Sequence, residues 1–81
     1  MASAEVLKHA AALALAGQWD AAHQIVQVDE ADPLACWLHA VLHKIEGDAS
    51  NSRYWYRRAG RRFDDFADTK TELEAIRAEL A

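Results

Sequence analysis

The sequence predicts an all-α domain, and three observations carry that prediction. Apolar residues recur at spacings of three and four, Gly or Pro punctuates most joins between these periodic stretches, and no strand signal competes. There is no strict alternation over four or more residues, and no Asn-Gly or Asp-Gly hairpin pair.

About five helices follow in order. Ser3 can cap the first, which is expected to run to Ala16 and stop at Gly17, with Val6, Ala10 and Leu13 inward and Leu7 and Ala14 beside them. The second, from about Gln18 to Val28, places Trp19, Ala22 and Val26 on one face and turns Gln24 and Gln27 away. Asp32 followed by Pro33 opens the third: the carboxylate caps free N–H groups, and proline supplies a preset φ where no N–H is needed. That helix runs to Glu46, with Leu34, Trp37, Leu38, Val41 and Ile45 on a broad apolar arc and Leu42 at its edge. The fourth follows Gly47, capped by Asp48, Ser50 or Asn51, and stops at Gly60. For the last, Thr69 and Glu72 read as a capping box, and Leu73, Ile76 and Leu80 form the inward face.

Composition narrows the function. With 81 residues the chain makes one small domain with a narrow stability margin, and its single cysteine, Cys36, excludes an internal disulfide. Stability is then left to packing, a metal or self-association, and a reducing, cytoplasmic setting is expected. The net charge of −4 argues against general nucleic-acid binding. The start offers an apolar run and small residues at Ala14 and Ala16, but Glu5 precedes Lys8 where a secretory leader would be basic. The run is also too short to cross a membrane.

Laying Gly17 over Gly47 also lays Ala10 over Ala40, His9 over His39 and Ala22 over Ser52, so small residues fall on small residues at an offset of about thirty. With Tyr56 and Ala59, this pattern resembles the tetratricopeptide repeat family: a first hairpin over 3–28, a second over 33–60 and a capping helix over 69–80. The sequence departs from that family where Val26 replaces an aromatic and where Cys36, His39 and His43 occupy places in its Trp/Leu/Gly/Tyr run. The runs "WLHAVLHKIEGD" and "YWYRRAG" also resemble a group of small bacterial proteins to which no function is attached. The resemblance implies a concave groove for a peptide or partner protein. Two units are fewer than the three such stacks need, so residues 69–80 are expected either to close the array or to meet a second copy in a homodimer.

Two groups of side chains could carry function. On the fourth helix Trp55 and Tyr56 fall on the packing face, while Arg53, Tyr54, Arg57, Arg58 and Arg61 fall outside it. Those arginines form either a solvated face, partly neutralised by Glu46, Asp48, Asp64 and Asp65, or a site whose guanidinium forks grip an acidic or phosphorylated peptide. A groove partner would instead lie on Trp37, Val41 and neighbouring apolar side chains. On the third helix Cys36, His39, His43 and Glu46 form a stripe. It reads first as buried histidines hydrogen-bonded to neighbours, and second as a metal site needing a further ligand such as His23 from another helix. No Gly-rich phosphate loop or nucleophile constellation is present. The sequence therefore points to a non-catalytic protein-interaction module without a cofactor, with a metal-binding protein as the alternative.

Overall fold

Short polar side chains start four of the helices. The computed structural model describes residues 3–81, and among them five α-helices, one 3₁₀ turn and no strand. Ser3 caps α1 (Ala4–Leu15) through Val6 N–H, and Asp32 caps α3 (Pro33–Glu46), accepting from the N–H of Leu34 at 2.8 Å and of Ala35 at 3.4 Å. Asp48 caps α4 (Ala49–Ala59) through Asn51 N–H. α2 (Trp19–Val26), shorter than expected at both ends, starts at Gln18 without a side-chain cap. Gly47 and Gly60 end α3 and α4 with φ of 88° and 71°, a left-handed conformation that costs glycine little.

α5 (Thr69–Leu80) corrects the capping-box reading. Asp68, not Thr69, is the cap, accepting from Thr71 N–H at 3.0 Å and Thr71 Oγ1–H at 2.6 Å. Glu72 is thereby released from the helix start and is completely buried. Its Oε2 accepts from Trp37 Nε1 at 2.8 Å and from the Tyr56 hydroxyl at 2.5 Å, and its Oε1 accepts from Lys44 Nζ at 3.0 Å. One carboxylate thus ties α5 to both α3 and α4. Charge-assisted bonds satisfy it, which is what makes a buried charge tolerable.

α3 is the centre of the molecule. Every residue from Ala35 to His43 is buried, because α1, α2, α4 and α5 all pack against it. The hairpins α1/α2 and α3/α4 form, and the small residues Ala10, Ala22, Ala40 and Ser52 are all fully buried. Ser52 Oγ also donates to the Ala40 carbonyl at 2.6 Å.

The arrangement does not show tetratricopeptide-like repeats. α5 lies against α1 and α3 instead of extending a stack beyond α4, and its Leu73, Ile76 and Leu80 are buried within the chain. The route to a homodimer through that stripe is therefore occupied. The apolar groove is likewise corrected: Trp37 and Val41 are core, at 1% and 0% exposed. On α1 the inward face is Leu7, Ala10 and Ala11, leaving Val6 exposed, since α2, α3 and α5 converge on that side. Ile45, at the end of the α3 arc, is also exposed. Among the described residues no helix is long and apolar enough to cross a membrane.

Candidate functional site

The predicted basic face splits in two. After Gly60 the chain turns back through the 3₁₀ segment Phe63–Asp65, which the sequence did not suggest. Lys44 pins this turn, since its Nζ donates to the carbonyls of Phe63 and Phe66, each at 2.8 Å. Phe63 then rests edge-on against Tyr56, with ring centroids 5.8 Å apart, and the Arg53 guanidinium lies over the Phe63 ring at 4.2 Å. Between α4 and the turn opens a cleft of about 270 Å³, lined by Arg53, Tyr56, Arg57, Arg61, Arg62, Phe63 and Asp64.

Four of the seven lining residues are arginines, and they are not equivalent. Arg61 is anchored: its Nη2 donates to both Glu79 oxygens at 3.0 and 2.8 Å, and its guanidinium stacks 3.7 Å from the Trp37 ring centroid. Arg53 is exposed but parked on Phe63. Arg57 and Arg62 are exposed and have no ion-pair partner among the described residues. Among the described residues Asp64 is the only acid in the lining.

Tyr54 and Arg58 lie outside the cleft. Arg58 reaches back to donate to the Glu30 carbonyl at 2.7 Å, close to the rings of Tyr54 and Trp55. The Cys36 thiol donates to the same carbonyl at 3.3 Å. Cys36 and Arg58 together hold the α2–α3 loop, and burial pushes the thiol's pKa up. Tyr56 is likewise raised by burial and by its bond to Glu72. The buried thiol and hydroxyls of Cys36, Tyr56 and Ser52 are thus all engaged in holding the fold.

The histidine stripe gains a member and loses one. His23 on α2 joins His39 and His43 on α3, and one ligand-capable atom of each lies within 4.8 Å of the others. Cys36 is not among them. His23 Nε2 and His39 Nε2 are 3.2 Å apart. Trp19 stacks on His23 with centroids 4.7 Å apart, and Trp55 stacks on His39 at 4.0 Å. Glu46 enters through His43, whose Nδ1 lies 2.5 Å from Glu46 Oε1, while Asn51 Nδ2 lies 3.4 Å from His43 Nε2. His39 Nδ1 is buried with no hydrogen-bond partner among the described residues.

Burial, followed by the neighbouring His43 and His23, pushes the His39 pKa down from 6.5 to about 4. His23 is lowered as well, by burial first. The folded state therefore resists a proton that the unfolded chain accepts. Stability is fully present above about pH 6.5 and is lost as the pH falls towards about 4. From about pH 7.5 to about pH 5 this amounts to a loss of about 2 kcal/mol. Urea unfolding at the two pH values should show that loss in the metal-free protein and should show it reduced in His39→Phe, whose ring stacks but does not titrate. The same pH dependence in both proteins would place the loss elsewhere.

Three side chains central to these sites were not singled out from the sequence: Arg62, Phe63 and Lys44. Each depends on the turn after Gly60, whose path no periodicity encodes. No protein-family model, curated protein or solved structure matches this chain, and its function has to be read from the side chains themselves.

Proposed function

We propose that the chain is a non-catalytic protein-interaction module that holds an acidic or phosphorylated segment of a partner protein in the cleft between α4 and the Phe63 turn. The observation that carries this is the exposed pair Arg57 and Arg62, guanidiniums without ion-pair partners among the described residues, flanking a concave surface in a chain of net charge −4. Clustered like charges repel unless something counters them, and with Arg61 paired to Glu79 and Asp64 in the lining, two of the four arginine charges remain beyond those carboxylates. Arginine forks match carboxylate and phosphate in geometry.

The engaged Cys36, Tyr56 and Ser52 support the non-catalytic part of the reading, since none is placed as an activated nucleophile. A buried free thiol suits a reducing, cytoplasmic setting. Self-association through α5 is not part of the proposal, because that stripe is already covered.

A fluorescein-labelled peptide of alternating Glu and phosphoserine tests the cleft. Its affinity is expected to fall as salt rises and to disappear in the double variant Arg57→Glu, Arg62→Glu, with the helical circular-dichroism signal unchanged. Absence of binding at low salt, or binding that survives both the reversal and high salt, would leave these arginines as a solvated face.

A further inference from the structure

The geometry points to a second site independent of the cleft: we infer that His23, His39 and His43 form a binding site for a divalent late first-row transition metal, of the Zn²⁺, Ni²⁺ or Cu²⁺ class. Three neutral imidazoles are borderline-soft nitrogen donors, which select these ions over Mg²⁺ or Ca²⁺. They come from two helices. A single straight helix presenting His39 and His43 could not surround an ion, and α2 supplies the donor from the other side.

The distances agree with coordination. Two nitrogens bound to one tetrahedral ion at about 2.0–2.1 Å stand about 3.3–3.4 Å apart. His23 Nε2 and His39 Nε2 stand at 3.2 Å. One ligand-capable nitrogen of each of the three rings lies within 4.8 Å of the others, so bringing them to coordination spacing asks for side-chain shifts of at most about 1.5 Å. His43 Nδ1–H donates to Glu46, which leaves Nε2 with its lone pair and only a long 3.4 Å contact to Asn51. A carboxylate on the far nitrogen of a ligating histidine fixes the ring and raises its basicity.

An imidazole at position 39 stacks on Trp55 as a phenylalanine could, and in addition it directs Nε2 at His23 Nε2, the edge the two rings would share with an ion. A metal takes the neutral form of each ring. His23 is only half-buried and gives an ion a way in.

Trp19 and Trp55, stacked on two of the three rings, provide the readout. In the full chain without a His tag, Cu²⁺ or Ni²⁺ should quench tryptophan fluorescence saturably at one ion per chain, and Zn²⁺ should compete. His23→Ala, at the open edge of the cluster, should weaken Cu²⁺ binding by more than about 100-fold, beyond the loss typical of an outer hydrogen-bond partner. His9→Ala, on the exposed side of α1, should leave it unchanged. His39→Ala should also abolish binding; should that variant not fold, His23→Ala, checked by circular dichroism, decides alone. Binding of less than one ion per chain, or an affinity that His23→Ala leaves intact or that His9→Ala removes, would overturn the assignment. The Arg57→Glu, Arg62→Glu protein should bind the metal normally, so failure of the peptide site and failure of the metal site are distinguishable.

Discussion

Glu72→Ala is expected to remove about 3–5 kcal/mol of stability, because it strands three polar groups at once. Lys44, with its side chain 10% exposed, loses its carboxylate, and the buried Trp37 N–H and Tyr56 O–H lose their acceptor. Domains of this size have total stabilities of about 5–15 kcal/mol, so the variant should sit near the edge of unfolding at room temperature. The penalty belongs to the broken set rather than to the carboxylate alone. Lys44→Met combined with Glu72→Leu should therefore recover part of it, since an apolar replacement of both partners leaves no uncompensated charge. Urea midpoints for the three proteins check this. A loss below about 1 kcal/mol for Glu72→Ala would mean that the carboxylate is not buried among those donors.

Trp37→Ala should cost about 3–5 kcal/mol through lost area and the cavity left behind. The indole is 1% exposed and packs against Phe66, with the Arg61 guanidinium on its face. It also donates to Glu72, so its loss should not add to that of Glu72→Ala. The double variant should fall short of the summed losses by about 0.5–3 kcal/mol, the range found for residues in direct contact. Additive losses would show that the two do not share a bond. A folded Trp37→Ala protein with an unchanged urea midpoint would contradict the central position of α3.

The helices were legible because their signals are local. Asp32-Pro33 fixed the start of α3 to the residue, and Gly47 and Gly60 marked the stops of α3 and α4, since a left-handed cap residue is a property of one position. The faces were less legible. Val6 and Leu7 are both apolar neighbours on α1, and only the position of α5 decides which one is buried. Glu72 was misread for a related reason. Thr-x-x-Glu is a helix-start pattern, but Asp68 one residue earlier provides the better cap and frees the carboxylate for the core. A signal for its burial was nonetheless present. Trp37 and Tyr56, both expected inside, carry polar tips that need an acceptor there, and an acid on an amphipathic helix could supply one.

The histidine cluster was half legible. Four-residue spacing put His39 and His43 on one face, whereas the approach of His23 and the departure of Cys36 towards Glu30 depend on how α2 packs on α3. The cleft was legible in charge but not in shape. Arg53, Arg57 and Arg61 share it, but Tyr54 and Arg58 turn to the other side, and Arg62 and Phe63 enter through a turn set by Lys44.

That cleft is where the proposed function stands or falls, and backbone amide chemical-shift mapping during titration with the Glu/phosphoserine peptide tests it most directly. Shifts are expected to concentrate at residues 53–64 and to saturate with one peptide per chain, with the amides of His23, His39 and His43 unmoved. Shifts centred on the histidine cluster or on α5, or none at peptide concentrations reaching the millimolar range, would contradict the proposed function.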